Sequence, residues 1–447
     1  MVPPGENVPR IGFVTCLHPI YDLPSARQHR DSALSGLRSA GCDVIAPEIA
    51  RDPRDIPVIV KELQGAEIDL LLFFFCTWVA EEITLSIACE LKDTPLLLWA
   101  LPHFDLSVPM PSPITGITAT GCNLQRSGRS FLHRIGAVTP DQIQAVLRTA
   151  RNASVLKKLR QARFGVFGSS CPGMIDTTCD DSLLQKHLGI RTIRYEIEDL
   201  LRARDSSSPA EALELASQLK NRARSEVPLD AIAEQCRMLT GMKSLIQDHQ
   251  LNGFAVRCWP ELRDQHKTTI CLAMAELAGS GIVSSCEADL TALITSFILT
   301  SLAGEPSCTL EITAYLDEQK ALQLSHCGVA ATSLASDPDH AVMRGHMRTG
   351  AGALMEFGLK PGKVTIAKLL RPFESGMKIF AARGDAIATA PEIRGTVATV
   401  RVEPSPAQFI DFMLRHGVEH HLVIVYGDWM EDLAEFAHFA GIEYLRP

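Results

Sequence analysis

Short apolar runs alternate with stretches of helical periodicity through the first third of the chain. The runs at residues 11–16, 69–75 and 95–100 are unbroken, which is typical of strands buried on both faces, and helical stretches such as residues 25–39 separate them. Buried strands that are connected by helices predict a parallel sheet covered on both sides. We therefore predict a Rossmann-like α/β domain over residues 1–160.

The same pattern begins again at residues 164–168, where a second short apolar run opens into a loop. Helical stretches follow, and further strand-like runs lie at residues 253–258 and 281–286. This repetition predicts a second α/β domain with a parallel sheet over residues 161–342.

The chain changes character after this point. Short apolar runs at residues 364–370, 377–382 and 396–402 are separated by Gly and Pro, which is typical of antiparallel strands. We predict a smaller, strand-rich, barrel-like domain over residues 343–447. The predicted fold class is thus α/β, with two Rossmann-like parallel-sheet domains followed by this C-terminal domain.

Composition narrows the class of protein further. The chain has 447 residues, of which 46% are hydrophobic and 21% charged, and this is ordinary for a soluble multidomain protein. A net charge of −9 and an aromatic content of 6% argue against nucleic acid or an anionic membrane as the partner. The longest apolar run, residues 70–80, is too short to span a bilayer. Scattered cysteines without a Cys-x-x-Cys pair favour a reducing compartment, so we expect a cytoplasmic protein.

Two glutamates lie where a sheet can present them to a ligand. Glu287 stands between an apolar strand and a helix, and ligands of open α/β sheets bind at the carboxyl ends of strands. The same position equally suits an acid that interacts with the positive end of a helix. Glu311 lies in a strand with period-2 alternation, where exposed carboxylates are common. Position alone leaves a structural role open for both residues.

Three histidines lie at the ends of predicted strands. His326 ends the run at residues 321–326, and the pair His420 and His421 opens the final strand. Adjacent strand residues point to opposite faces, so at most one of the pair would normally reach a given metal. Each histidine by itself more often has a structural role. Combined with two carboxylates, however, imidazoles form a mixed oxygen and nitrogen site that suits Mn²⁺ or Mg²⁺.

Four stretches of the chain together resemble the L-fucose isomerase/L-arabinose isomerase family of metal-dependent aldose–ketose isomerases. They are residues 254–262, 286–290, 325–328 and 419–428, and they follow one another in the order of the family. The resemblance extends across most of the chain and is uninformative about the sugar.

The resemblance implies ligand residues for Mn²⁺, with Mg²⁺ or another divalent cation as the alternative. Glu287 and Glu311 would be metal ligands and catalytic groups, and His421 would be the C-terminal metal ligand. His326 is similar to an additional histidine ligand of the arabinose branch. The fucose branch has an aspartate where Glu311 stands, and this chain is shorter than members of either branch, so substrate specificity does not transfer.

The implied reaction moves a proton between C1 and C2 of a deoxy-sugar, pentose or modified sugar through an enediolate. Candidate substrate-binding residues are Trp259, His18, Tyr21 and His420, although Trp259 suits core packing equally well. Family members are commonly trimers or hexamers with sites near subunit boundaries, so we expect a homo-oligomer. Two alternatives stay open: a non-catalytic sugar-binding protein, and another enolisation-type reaction such as epimerisation at the same metal site.

Overall fold

A computed structural model describes residues 8–22, 24–50, 52–103, 112–389 and 394–447. The chain divides into two compact units. The N-terminal unit comprises Glu6–Lys158 and Ala434–Ala440, and the C-terminal unit comprises Leu159–Leu433 and Gly441–Pro447. The three predicted domain ranges, 1–160, 161–342 and 343–447, stay a prediction.

The N-terminal unit is built on a parallel five-stranded sheet. Its strands are β1 (Arg10–Cys16), β2 (Asp43–Ile45), β3 (Leu70–Phe75), β4 (Leu96–Ala100) and β5 (Leu132–Ile135). They lie in the order β2-β1-β3-β4-β5. The accompanying helices are α1 (Pro24–Ser39), α2 (Ile56–Gly65), α3 (Glu81–Glu90), α4 (Pro113–Arg126) and α5 (Pro140–Gln161).

The apolar run of β3 explains why this sheet is covered on both faces. Successive side chains of a strand point in opposite directions. Leu70, Leu72 and Phe74 pack into one hydrophobic core, whereas Phe73 and Phe75 pack into a second one. The prediction of a doubly covered parallel sheet in this part of the chain is therefore confirmed.

The C-terminal unit contains the remaining elements. Its strands are β6 (Arg163–Phe167), β7 (Arg191–Tyr195), β8 (Arg224–Ser225), β9 (Gly253–Val256), β10 (Val283–Cys286), β11 (Cys308–Leu316), β12 (Ala321–His326), β13 (Val342–Arg344), β14 (Leu354–Gly358), β15 (Gly362–Leu369), β16 (Lys378–Ile387), β17 (Thr396–Val402), β18 (His421–Tyr426) and β19 (Glu443–Leu445). Its helices are α6 (Asp181–Leu188), α7 (Ile197–Asp205), α8 (Pro209–Arg222), α9 (Leu229–His249), α10 (Cys271–Gly279), α11 (Leu290–Ala303) and α12 (Pro406–His416), and α13 (Met430–Ala440) crosses into the N-terminal unit.

Two sheets make up this unit. A parallel sheet has the strand order β10-β9-β6-β7. In the second sheet, the antiparallel strands β16-β15-β18-β11-β12-β17 close on themselves because β17 also pairs with β16, which makes a barrel. Strands β11 and β12 belong to this barrel although they precede residue 343, where the sequence predicts the strand-rich domain to begin. The barrel interior is apolar, with buried side chains such as those of Leu310, Leu322, Ile366, Val400 and Ile424.

Helix α11 connects the parallel sheet to the barrel. It packs against β9 and β10 on one side and against β15 and β18 on the other. Most of its residues are buried, which fits its nearly all-apolar sequence. The turn that precedes α11 therefore lies where the carboxyl end of β10 meets the beginning of β18.

The mixed α/β class, with parallel sheets and a strand-rich sheet, is confirmed. Within the described part of the chain, no helix is both long enough and apolar enough to cross a membrane.

Candidate metal centre

Glu287 lies in a tight turn between β10 and α11. Its φ is 60° and that of Ala288 is 57°, a left-handed conformation that residues other than glycine seldom adopt. The Asp289 backbone N–H donates to the Cys286 carbonyl oxygen (3.2 Å), and the Ala288 N–H donates to the Val256 carbonyl oxygen (3.1 Å) on β9. Each left-handed residue costs about 1–2 kcal/mol. Strain of this kind concentrates at functional sites, and here it fixes Glu287 at the carboxyl end of β10.

Asp289 both begins helix α11 and organises the buried polar groups beside it. Its Oδ1 accepts hydrogen bonds from the Ala292 backbone N–H (2.8 Å) and the Thr291 hydroxyl (2.9 Å). Its Oδ2 accepts from His421 Nδ1 (2.9 Å) and Lys368 Nζ (2.7 Å). The Asp289, Lys368 and His421 side chains are all fully buried. Burial alone would raise the pKa of Asp289, but Lys368 and His421 hold it well below its usual range.

This carboxylate orients the His421 ring. A hydrogen bond from Nδ1 to Asp289 leaves Nε2 directed at Glu287, with 3.2 Å between Nε2 and Glu287 Oε2. Nε2 is nevertheless a buried nitrogen without an aligned hydrogen-bond partner among the described residues. Burial disfavours the imidazolium, but Asp289 and Glu287 outweigh it and raise the pKa of His421. A carboxylate that holds the far nitrogen of a histidine is the usual support of a metal-ligating imidazole.

His326 lies at the end of β12 and faces the same site. The centroids of the His326 and His421 rings are 5.4 Å apart. The Cys327 backbone N–H donates to His326 Nδ1 (2.9 Å), which places the proton of the neutral ring on Nε2. Burial, with a smaller contribution from His421, lowers the pKa of His326 to about 4. His326 is thus a neutral imidazole that donates through Nε2, and it becomes a metal ligand there only if it gives up the contact with Cys327.

His420 lies between two carboxylates. Its Nδ1 is 2.6 Å from Asp176 Oδ2, and its Nε2 is 3.9 Å from Glu287 Oε2. Glu287 and then Asp176 raise the pKa of His420 to about 9, against the effect of burial. Burial alone would raise the pKa of Glu287, but His420 and His421 together hold it well below its usual range. At neutral pH, the site therefore carries an ionised Glu287 beside a protonated His420.

Three of the predicted ligands come together. Glu287, His326 and His421 each contribute one potential ligand atom, and these atoms lie within 4.8 Å of one another. One carboxylate oxygen with imidazole nitrogens is a donor set that suits Mn²⁺ and related divalent cations. The buried Nε2 of His421, which faces a carboxylate oxygen without an aligned hydrogen bond, fits a cation at this position.

Glu311 pairs with His421 in the barrel but is not one of the three clustered ligand residues. On the antiparallel barrel, Glu311 pairs with His421 of β18 on one side and with Ser325 of β12 on the other. Its carboxylate is partly buried and forms no hydrogen bond or ion pair with any described residue. Glu311 is therefore an unengaged acid beside the candidate ligands, and its predicted role as a ligand and catalytic group stays a prediction.

Trp259 follows β9, the strand next to β10. Its ring is partly buried, and the Arg263 guanidinium lies over it, 5.1 Å from the ring centroid. The preceding residue, Cys258, has its Sγ 3.6 Å from the Sγ of Cys286, the residue before Glu287. Trp259 thus stands at the same end of the parallel sheet as Glu287, with part of its ring packed against the core.

His18 and Tyr21 belong to the N-terminal unit. Both follow β1, and their ring centroids are 5.9 Å apart. The His18 ring also stacks on Trp78, which follows β3, at 5.2 Å. Strands β1 and β3 are adjacent in a sheet whose order reverses there, and ligands of open α/β sheets bind at such a point. The substrate-binding roles predicted for His18 and Tyr21 stay predictions.

Two cysteine thiols near the candidate metal centre have raised pKa values. Burial, helped by nearby acidic groups, raises the pKa of Cys327 to about 12 and places that of Cys171 even higher. A protonated thiol is a poor metal ligand. Both pKa values favour oxygen and nitrogen donors as the ligands, and the predicted donor set stays a prediction.

The residues that support the ligands were not predicted from the sequence. For Lys368 the sequence does contain a signal of this role, because a lysine inside the apolar run of β15 requires a buried partner. Asp289 also has one, since an aspartate directly before an apolar helix is a typical N-cap. Asp176 has none, because it lies in a single 3₁₀ turn (Ile175–Thr177) and meets His420 only through the tertiary fold.

Relatives that share one name cover most of this chain. No family model matches it. A protein named sulfoquinovose isomerase from Priestia aryabhattai is 25% identical over 431 residues, which cover 95% of this chain and 96% of the relative. A protein of the same name from Alkalicoccus urumqiensis is 23% identical over 403 residues, 88% of this chain and 89% of the relative.

Solved structures are only weakly similar. A periplasmic solute-binding protein from Actinobacillus succinogenes with bound D-allose covers 66% of this chain and 92% of its own, at 11% identity and a TM-score of 0.19. A likeness of this size supports no inference about fold or ligand. The resemblance to the L-fucose isomerase/L-arabinose isomerase family is not confirmed by these comparisons and stays a prediction.

Proposed function

We propose that this protein is a metal-dependent aldose–ketose isomerase that acts on a sugar. The observation that carries the proposal is the convergence of Glu287, His326 and His421, with the buried Nε2 of His421 directed at the Glu287 carboxylate. Similarity to sulfoquinovose isomerases over nearly the whole chain supports a sugar isomerase independently.

Glu287 and His421 would hold the cation, which we propose to be Mn²⁺. His421 is suited to this because Asp289 holds its Nδ1 and leaves Nε2 toward the site. Glu311 is the proposed second acid, since it is an unengaged carboxylate that pairs in register with His421. A divalent cation held there would supply Lewis-acid polarisation of the sugar carbonyl and compensate the negative charge of the enediolate oxygens.

The protein side chains would then carry out the proton transfer. One of the carboxylates, Glu287 or Glu311, accepts the proton from C2 and returns it to C1, and the other takes the hydroxyl proton from O2 and delivers it to O1. Two neighbouring carboxylates titrate as a coupled pair, so the two roles are not assigned to individual residues. The protonated His420 adds a positive charge beside Glu287, and His326 offers a hydrogen bond from Nε2 to a sugar oxygen. Both contributions stabilise the negatively charged enediolate more than they stabilise the neutral sugar.

The names of the relatives suggest a substrate class. Sulfoquinovose is an aldohexose whose C6 carries a sulfonate, so an isomerase for it must accept an anion at the end of the sugar opposite the reacting carbons. We propose a sugar of this kind as the substrate. Trp259, His18, Tyr21 and His420 are the proposed sugar contacts, and a homo-oligomer with sites near subunit boundaries is the proposed assembly.

Ketose formation from sulfoquinovose and from neutral aldoses, measured with Mn²⁺ and with EDTA, tests the proposal. We expect the wild-type protein to convert at least one aldose to its ketose, and we expect EDTA to abolish the activity until Mn²⁺ is restored. A protein that binds sugar equally well in EDTA without forming any product would be a sugar-binding protein. Formation of an epimer instead of a ketose would show another enolisation reaction.

A further inference from the structure

A glycine-rich loop connects β13 to β14. In this loop, residues 345–352, the backbone N–H of Gly350 donates to the His346 carbonyl oxygen (2.7 Å), and the His346 N–H donates to the Ala351 carbonyl oxygen (2.9 Å). The Arg348 N–H donates to His346 Nδ1 (3.3 Å). A Cβ on Gly352 would lie 2.4 Å from Thr269 Oγ1, so the loop packs closely against that residue. These contacts give the 345–352 loop a defined shape.

The 345–352 loop reaches the candidate metal centre through His346. The His346 ring is buried, and its Nε2 lies 3.6 Å from the Sγ of Cys327, which directly follows His326. The backbone N–H of Arg348 contacts the other nitrogen of the same ring, so Arg348 follows directly on the contact between His346 and Cys327.

Arg348 differs from the other arginines around this loop in having no acidic partner. Arg263 is paired with Asp264 (2.6 Å), and Arg394 is paired with the buried Glu356 (2.7 Å). The Arg348 side chain is exposed and forms no hydrogen bond or ion pair with any residue in the described ranges.

Arginines on the other side of the site are paired as well. Arg257 contacts Glu261 across four residues, and Arg371 contacts Glu419 (3.2 Å) and the Ile175 carbonyl oxygen (3.2 Å). An arginine whose charge is already compensated binds a further anion less strongly. Arg348 is thus the guanidinium in this group whose charge is left for a ligand.

We propose that Arg348 binds the anionic substituent of the substrate, a tetrahedral group with three oxygens such as a sulfonate. The inference rests on the proposed isomerase function and names the residue that sets its specificity. A guanidinium suits this group because it offers two parallel N–H donors together with a permanent charge. The 345–352 loop holds Arg348 on the side of His326 and Cys327, while Glu287 and His421 hold the reacting end of the sugar.

Arg348→Gln and Arg348→Lys, compared with wild type, test this assignment. Isomerisation kinetics would be measured with sulfoquinovose, glucose 6-phosphate and the neutral 6-deoxyglucose, and sulfoquinovose binding would be measured by calorimetry. We expect Arg348→Gln to raise the KM or Kd for the sulfonated sugar about 10- to 100-fold, the loss typical of a charged hydrogen bond. We expect Arg348→Lys to keep part of the affinity for the sulfonated sugar. We expect the KM for the neutral sugar to be unchanged in both variants.

Arg415→Gln is the matched control. Arg415 is exposed on α12 and pairs with Asp411. The Arg415→Gln variant therefore removes one positive charge away from the site, and we expect it to leave sulfoquinovose binding unchanged. A similar dependence on Arg348 with glucose 6-phosphate also supports the assignment and shows that Arg348 accepts a phosphate as well as a sulfonate. If wild type forms no ketose but binds sulfoquinovose through Arg348, the isomerase proposal fails and the assignment stands. Equal binding of sulfoquinovose by wild type and Arg348→Gln, or equal losses for charged and neutral sugars, would overturn the assignment.

Discussion

Strand β3 of the N-terminal unit and strands β15 and β18 of the barrel are similarly buried but carry different side chains. Every residue of β3 is an apolar leucine or phenylalanine. In the barrel, Lys368 and His421 occupy positions with no solvent exposure and share the carboxylate of Asp289. Taking such charges out of water costs several kcal/mol per ion, and their attraction offsets that cost only with good geometry.

The two regions differ in what their buried side chains contribute. The core around β3 is stabilised by burial of apolar surface, which requires no specific partner for any side chain. Replacement of the whole polar group around Asp289 by apolar residues of similar volume should cost little stability, whereas removal of one partner leaves a buried charge without compensation. The polar group does define the direction of His421 Nε2, and we infer that this is why the barrel tolerates buried charge.

Removal of the site carboxylate should give the largest difference between the two regions. We expect Glu287→Gln to lower the kcat for ketose formation about 100- to 10,000-fold, the range for loss of a proton-transferring group. Asp69→Asn is the matched control, since Asp69 is a buried carboxylate of the N-terminal unit that accepts the Arg10 backbone N–H. Turnover of Glu287→Gln at the wild-type rate would rule out the proposed site.

Loss of a buried partner should separate stability from metal binding. We expect Lys368→Met to lower the free energy of unfolding by about 3–5 kcal/mol, because Asp289 keeps its charge without this cation. Leu72→Ala, in β3, should cost a similar ~2–5 kcal/mol through the cavity that it creates. Calorimetry with Mn²⁺ should show weaker binding by Lys368→Met alone. Equal affinities in the two folded variants would mean that Lys368 is only structural.

Asp289→Asn tests the buried negative charge by itself, because asparagine keeps the helix N-cap and removes the charge. We expect Mn²⁺ affinity to fall about 10- to 100-fold, as for other residues that support a ligating histidine. Asp180→Asn makes the same change at the N-cap of α6 and should leave metal binding unchanged. An Asp289→Asn variant that binds Mn²⁺ normally would show that His421 needs no support from this carboxylate.

The smallest expected effect concerns pH and His420. Its pKa is raised from 6.5 to about 9 in the folded protein, so the stabilisation by its positive charge is complete below pH 6.5 and is lost as the pH rises through 9. Denaturant unfolding of the metal-free protein should therefore show stability that falls across this interval. We expect His420→Asn to flatten the dependence of the unfolding free energy on pH between pH 6.5 and 9. An unchanged slope would contradict the raised pKa of His420.

Apolar pattern alone was sufficient for the elements that consist of apolar side chains. The runs that form β1, β3 and β4 predict a doubly covered parallel sheet, and the structure has one. The barrel was harder to predict, because β12 pairs with β17 and β11 pairs with β18, and the paired residues are 70–116 positions apart in the chain. Periodicity identifies such strands but carries no information on their distant partners.

The candidate site was likewise only partly predictable from the sequence. Glu287, His326 and His421 could be named from their positions at strand ends and from the family resemblance. Asp176 could not, because its contact with His420 joins residues 244 positions apart. Neither composition nor spacing indicates that Arg348 lies near His326, since the two are brought together by the contact of His346 with Cys327.

Titration of the metal-free protein with Mn²⁺, followed by calorimetry, tests the central claim most directly. We expect wild type to bind a single Mn²⁺ per chain and His421→Asn to lose at least about 100-fold in affinity. His340→Asn, which changes a histidine with 86% of its side chain exposed, should bind as wild type does. Absence of Mn²⁺ binding by wild type, or equal affinities in wild type and His421→Asn, would contradict the account.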